Sequence, residues 1–384
     1  MIESVGKIVM KVLLTATVQS HICQFHRPLV EVLHEKGYEV HVAAKDNLAE
    51  KNGLKLDFVE KVYDIPFSRS PKSKDNLKAY KELKKIIDQG QYEVIHCNTP
   101  MGGIVTRLAA RKARKRGTKV YYTAHGFHFY KGAPIKNWIV FYPIEKMFSK
   151  LTDVLITITH EDYRLAKEKF YCQVEYIHGV GVDEKRYYPV SKEEQLKIRK
   201  ALGFAPEQKI ILCIGELLPN KNQQMAIQMM EKVVKRFPNA KLLLAGNGPE
   251  KDNLESLIKK LGLEKSIDML GYCTYLEKYQ RITDVLVACS KREGLPLNLV
   301  EAMLTGNSVV ASVNRGHREL IKSGKNSYLV NGIDEMAERV IALLNDNELR
   351  ESVGKCAKEY AHSYGYANVK EELEKIYFGE RSYG

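Results

Sequence analysis

The chain has 384 residues, long for a single core and suited to two domains of ordinary size. Its 44% hydrophobic and 28% charged residues fit a globular protein, and no apolar run approaches the roughly 20 residues needed to cross a bilayer. The net charge of +13 lies mostly in the first half, which points that half toward something anionic.

Seven cysteines are scattered without a C-x-x-C pair, and Cys97, Cys213 and Cys289 fall in apolar runs. That pattern suits reduced thiols in a cytoplasmic protein and argues against a disulfide framework or a zinc site. Met1 to Lys11 shows no cleavage-site pattern, so no signal peptide is expected.

In chain order, residues 7–17 predict a buried strand that ends in a loop. Phe25 to Lys36 predicts a helix stopped by Gly37, and Tyr38 to Ala44 the next strand. Apolar strands follow at Val94–Cys97, Val120–Thr123, Val154–Ile158 and Val174–Ile177. Helical segments separate them at Asp75–Gln89, Met101–Arg116, Lys136–Ser149 and Glu161–Phe170. Strands alternating with amphipathic helices predict a parallel sheet covered on both faces.

Glycines at Gly179 and Gly181 relax the pattern, and Arg186-Tyr-Tyr-Pro189 follows. A second series then predicts strands at Ile210–Ile214, Lys241–Ala245, Ile267–Leu270, Val285–Ala288, Val309–Ser312 and Ser327–Val330, with a last helix at Val369–Phe378. The expected fold class is α/β, two Rossmann-like doubly wound domains facing a cleft, residues 1–185 and 186–384. The terminal helices are free to pack back on the first domain. Ligands of such sheets bind outside the carboxyl ends of the strands.

The chain is organised around Cys289-Ser-Lys-Arg-Glu-Gly-Leu-Pro-Leu-Asn-Leu-Val-Glu-Ala-Met303. A buried strand precedes it, and a helix from Leu297 to Leu304 follows with Pro296 at its start, where a missing N–H does no harm. Glu293 therefore lies in the strand-to-helix loop and Glu301 further along the helix. Gly294 lets the backbone approach a ligand, and the helix start offers N–H groups to an anion. Taken singly, either glutamate reads as well as a cap or a solvated helix residue.

Together they resemble the E-x7-E signature of the retaining glycosyltransferases of family 4, in its EGLP variety. Other stretches agree. Gly215-Glu-Leu-Leu-Pro-Asn-Lys221 is similar to that family's phosphate clamp, where Lys221 matches but Glu216 stands in place of the usual arginine. Gly246-Asn-Gly-Pro249 is similar to its G-x-G-P turn, and Leu270-Gly-Tyr-Cys-Thr274, with Tyr272, to the loop that holds the nucleotide base. His125, after the strand in Tyr121-Tyr-Thr-Ala-His-Gly-Phe-His-Phe-Tyr130, matches the family's cleft histidine.

The first loop, Thr17 to His26, lacks the glycine pair of many relatives and carries His21 and His26 instead. This resembles the subgroup of capsule and exopolysaccharide synthesis.

The resemblance implies the GT-B arrangement and a retaining transfer of sugar from a nucleotide sugar to a hydroxyl, with no metal and no cofactor beyond that substrate. It implies catalytic roles for His125 and Glu293. Donor binding falls to Lys221, Glu301, Gly294, Leu295, Pro296, Gly215, Glu216, Gly246 and Tyr272, and the acceptor side to His21, His26, Phe127 and His128. A UDP-hexose or UDP-N-acetylhexosamine donor and a polyprenyl-diphosphate-linked acceptor are favoured, although GDP-mannose would leave much the same motifs. Two rivals stay open, a UDP-N-acetylglucosamine 2-epimerase of the same architecture and a non-catalytic protein that binds anionic surfaces.

Arg107 to Lys119 is strongly basic, and Lys131 to Lys150 mixes lysines with Trp138, Phe141, Tyr142 and Phe148. Such runs read either as solvated helix faces or as a surface that rests on the anionic inner face of the cell membrane. They carry no nucleic-acid recognition motif.

Overall fold

The computed structural model describes residues 9–51 and 53–379. The leader question at Met1 to Ile8, and Lys7 and Ile8 of the predicted first strand, lie outside the described residues.

The chain divides into two compact units. The first runs to Gly181 and resumes at Tyr366; the second is Val182–Gly365. The last helix, Tyr366–Phe378, therefore belongs to the first unit, where Lys370 Nζ reaches Glu31 at 3.2 Å and Glu35 at 2.7 Å.

The first unit holds a seven-stranded sheet. Its strands are β1 (Lys11–Val18), β2 (Glu39–Lys45), β3 (Lys61–Asp64), β4 (Val94–Asn98), β5 (Lys119–Ala124), β6 (Val154–Thr157) and β7 (Gln173–Tyr176). They lie in the order β3-β2-β1-β4-β5-β6-β7, all parallel. The second unit holds β8 (Ile210–Ile214), β9 (Lys241–Ala245), β10 (Ile267–Gly271), β11 (Val285–Ala288), β12 (Ser308–Ser312) and β13 (Tyr328–Val330). Their order is β10-β9-β8-β11-β12-β13, again parallel.

Near-continuous burial along β1, β4, β8 and β11 is the mark of strands covered on both faces, as their apolar runs require. Each order reverses once, between β1 and β4 and between β8 and β11. The loops leaving those four strands are where an open α/β sheet takes its ligands.

The segment after β1 differs from expectation. Gln19–Phe25 is a helix, and a second one, Arg27–Glu35, begins after a break at His26. Pro28 lacks the N–H that would continue the first helix and sits comfortably at the start of the second. β3 was not expected; it is a short edge strand with mostly exposed residues and no apolar signal.

Among the described residues no helix is long and apolar enough to cross a membrane. Arg107 is not part of a solvated basic face. It is 1% exposed, and its guanidinium donates to Glu145 at 3.0 Å and lies 4.1 Å from the centre of the Tyr122 ring. A long basic run can thus hide one inward-facing member, because the helix turns its residues through every direction.

Candidate functional site

In the second unit, the turns that follow β8 and β11 are stitched together. Lys291 N–H donates to the Asn220 carbonyl at 2.8 Å, and the Asn220 amide donates to the Arg292 carbonyl at 2.9 Å. This places Lys221 Nζ 2.6 Å from Glu293 Oε1, with both side chains partly buried. A lysine ammonium has three donors, so two remain available to another anion.

Gly316 packs onto the same turn. A Cβ there would stand 2.5 Å from the Gly294 carbonyl oxygen and 2.7 Å from Glu293 Cβ. One residue on, His317 is buried with Nδ1 2.6 Å from the Ser312 carbonyl and Nε2 without a partner. Burial lowers its pKa, although its contact with the Ser312 carbonyl and the Glu293 charge act against this. Neither Gly316 nor His317 stood out in the sequence, since Arg-Gly-His is an unremarkable start to a short helix.

Gly246 and Gly248 have a steric reason to be glycine. Gly246 has φ +150°, and a Cβ on it would lie 2.0 Å from the Gly215 carbonyl oxygen. A Cβ on Gly248 would lie 2.3 Å from that of Leu217. The Gly-Asn-Gly turn after β9 therefore seats the turn after β8, and Leu217 N–H donates to the Asn247 carbonyl at 2.8 Å. Gly215 is different, because a Cβ there would meet only ordinary contacts with the Lys221 and Gln223 side chains. Glu216 and Tyr272 are exposed, and Pro296 caps the helix Leu297–Leu304. Leu295 and Gly294 lie part-buried in the turn before it.

Glu301, on that helix, is held up by burial to a pKa of about 7, while hydrogen bonds from Tyr187 and Gln280 and the nearby Arg186 pull the other way. Arg186 is itself anchored by Glu277 at 2.8 Å and the Thr274 carbonyl at 3.0 Å. In the sequence Arg186 and Tyr187 marked a domain boundary; the structure adds them to the surroundings of Glu301.

The raised pKa has a defined consequence for stability. A carboxyl whose folded pKa exceeds its unfolded value favours folding while protonated. That contribution is complete below about pH 4.5 and is lost as the pH rises to about 7. Glu301→Gln should flatten this slope and exceed the wild type at pH 8 by roughly 3 kcal/mol, as read by urea unfolding at pH 5 and pH 8. Equal slopes for the two proteins would refute the assignment.

In the first unit three histidines converge. His21 leaves β1 on its short helix, His26 sits at the break, and His125 directly follows β5. His21 Nε2 lies 3.1 Å from His125 Nε2, with one ring donating and the other accepting. Asn98 Oδ1, at the end of β4, is 3.4 Å from the same His125 nitrogen. The ligating nitrogens of His21, His26 and His125 fall within 4.8 Å of one another, a grouping that could hold a metal ion. His26 Nε2 is buried and unpartnered.

Burial keeps all three imidazoles neutral near pH 7, lowering His125 to about 4 and the other two well below the ordinary value. Beneath them His96 contacts the Tyr377 hydroxyl at 2.5 Å and Thr123 Oγ1 at 2.7 Å. Thr99, at the helix start beside the cluster, has φ +63° and accepts from Thr17 N–H at 3.0 Å. Such strain in a non-glycine residue is typical of functional loops.

Phe127 is buried and stacks on Phe129, with ring centres 4.7 Å apart. His128 stacks on Phe141 at 4.7 Å. His21, Phe127 and His128 line one cavity of about 600 Å³.

A family model described as glycosyl transferases group 1 matches residues 194–360, and one described as glycosyl transferase 4-like matches residues 11–159. The chain is 40% identical over 371 residues to EpsD of Bacillus subtilis (strain 168), which carries a glycosyltransferase name; the match covers 96% of each chain. It is 24% identical over 310 residues, 79% of each chain, to the Escherichia coli UDP-Gal:alpha-D-GlcNAc-diphosphoundecaprenol alpha-1,3-galactosyltransferase. Among solved structures, HepE of Anabaena in complex with UDP matches with a TM-score of 0.78 at 20% identity, covering 96% of this chain and 99% of that one. That likeness shows a shared fold.

Proposed function

Since the chain belongs to the glycosyltransferases, with the GT-B fold, we propose that it moves a hexose or N-acetylhexosamine from a UDP sugar, with retention, to a saccharide linked to a polyprenyl diphosphate. The step belongs to the assembly of an exopolysaccharide or capsule. The observation that carries this reading is the pairing of Lys221 with Glu293 where the strand order of the second sheet reverses.

The two free donors of the Lys221 ammonium, with the N–H groups at the start of Leu297–Leu304, suit the negative charge that grows on a departing diphosphate. Glu293 and the N–H groups of Gly294 and Leu295 hold the hydroxyls of the donor sugar. Glu301 as a carboxylate accepts from the ribose hydroxyls, so nucleotide affinity should rise as the pH passes through about 7. Gly215 lies beside the diphosphate on a turn that Gly246 seats by close packing, with Glu216 at its edge and Tyr272 beside the base.

His125, neutral and beside His21 and Asn98, is the histidine this reading gives to the reacting sugar, and His21, His26, Phe127 and His128 fall to the acceptor side. We assign no metal or cofactor to this chemistry, since Lys221 and the helix start supply the positive charge. The lipid-linked acceptor rests on the Escherichia coli relative, whose name specifies one, and on the basic, aromatic-rich helix Ile135–Ser149, which also suits an anionic membrane surface.

The test is calorimetric binding of UDP, GDP and ADP to the wild type and to Glu301→Gln. Selective binding of UDP, weakened about tenfold or more in the variant by loss of a charged acceptor, is expected. Equal responses to all three nucleotides would remove the UDP assignment, and no response to any would remove the donor site.

A further inference from the structure

The cavity beside the histidine cluster is the wrong kind of surface for a sugar. One end is formed by His21, which touches His125. Most of the rest is apolar and includes Met101, Ile104, Phe129, Val140, Phe141 and Ile144. The polar groups within the wall are already engaged, His128 by its stacking on Phe141. Glu145 pairs with Arg107 and accepts from Tyr122, and the hydroxyls of Thr17 and Thr99 lie 2.6 Å apart.

Saccharides are held by convergent hydrogen-bonding side chains, whereas this wall offers contact area to aliphatic matter. The exception at the rim is Arg69, an exposed guanidinium with no ion pair among the described residues. A guanidinium fork is shaped for a phosphate. The cavity is continued outward by the helix Ile135–Ser149, whose Ile135, Ile139 and Val140 are all at least half exposed. Isolated exposed apolar residues need no explanation, but a run of them leading into an apolar cavity does.

We propose that this cavity holds the first part of the acceptor's apolar chain, with Arg69 on the phosphate that joins chain to saccharide. The inference rests on the acceptor class proposed above and deepens it. Because His21 touches His125, the apolar chamber begins close to the histidine given to the reacting sugar, so the saccharide between the reacting hydroxyl and the lipid is short. The acceptor is therefore a lipid diphosphate carrying few sugars. The reaction that supplies it transfers a sugar 1-phosphate from a nucleotide sugar onto a lipid phosphate, with release of the nucleoside monophosphate, shortly before this step.

The chain contains one tryptophan, Trp138, and it lies on the helix that walls the cavity. Its fluorescence can be titrated with farnesyl diphosphate as the probe, with farnesol and inorganic diphosphate as the comparisons. Saturable binding of farnesyl diphosphate, tighter than either fragment, is expected. Val140→Asp and Phe141→Asp should each raise its Kd by at least about tenfold through loss of apolar contact, and Arg69→Ala should bring its affinity down toward that of farnesol.

Ile135→Asp and Ile139→Asp lie outside the cavity lining, on the outward continuation that only a chain longer than farnesyl reaches, and should leave the Kd for farnesyl diphosphate unchanged. If these two weaken binding as much as Val140→Asp, the chain lies on the helix surface and the cavity assignment fails. Absence of saturable binding also overturns it. UDP binding to the second unit is measured in parallel on every variant; its presence in the wild type without farnesyl diphosphate binding removes this inference alone, whereas its absence strikes the donor reading.

Discussion

With the role proposed for it, Lys221→Ala should lower kcat for sugar transfer by about 10²–10³-fold, the loss typical of removing one well-placed electrostatic donor from a developing anion. Stability changes little by comparison. The lost contact is one ion pair near the surface, 2.6 Å long and about a quarter exposed on the lysine side, so its removal should cost about 1 kcal/mol or less. Lys221→Arg recovers only part of the rate, because a planar fork does not reproduce a compact ammonium with three rotatable donors. Release of UDP from the donor, followed under saturating acceptor, reads the effect directly. An alanine variant with wild-type kcat would show that the Lys221–Glu293 pair is structural and that the charge on the leaving group is met elsewhere.

The second large effect is on stability. Arg107→Ala should cost about 3–5 kcal/mol, because it leaves the Glu145 carboxylate buried without its cation. For a unit of this size that corresponds to a fall in Tm of roughly 10 °C. The Arg107 guanidinium also donates to the Gly103 carbonyl at 2.9 Å and sits against Tyr122 and Phe148, so the loss includes packing. The double variant Arg107→Met with Glu145→Leu should regain most of the loss, since it removes both charges and keeps the volume. Trp138 lies on the same helix as Glu145, which makes its fluorescence a local reporter of the melt. If the single variant melts within about 2 °C of the wild type, the pair is far more hydrated than its geometry indicates.

Much of the architecture was legible in the sequence because parallel strands buried on both faces leave an unbroken apolar signature. The runs at 94–97, 210–214 and 285–288 are such cases, and each became a strand with nearly the same limits. β3 was not legible for the converse reason. Lys61-Val-Tyr-Asp is a strand through its pairing with β2, and its side chains remain mostly outside the core.

Charge was the poorest guide. Arg107 sits among five neighbouring arginines and lysines between residues 111 and 116, and nothing local distinguishes the one that turns inward. Among candidate site residues, Glu293, Glu301, Lys221 and His125 were singled out through spacing that resembles a known family. His317, Arg186 and Tyr187 were not, because their relation to those residues exists only after distant segments are brought together. The close approach of His21 to His125 spans 104 positions and had no sequence signal beyond the presence of both rings.

The return of the last helix to the first unit inverts the order in which the molecule can be finished on the ribosome. Domains usually mature from the N-terminus as they emerge. Here the second unit, Val182–Gly365, has all of its residues before the first one does. Until Tyr377 arrives, His96 in the middle of the first sheet lacks the phenol that contacts it across 281 positions. During synthesis the N-terminal half is therefore an incomplete body that waits, its floor open beneath the histidine cluster, while the later half is already whole. A truncation just before Tyr366 would leave Val182–Gly365 with all of its residues and the first unit without its closing helix.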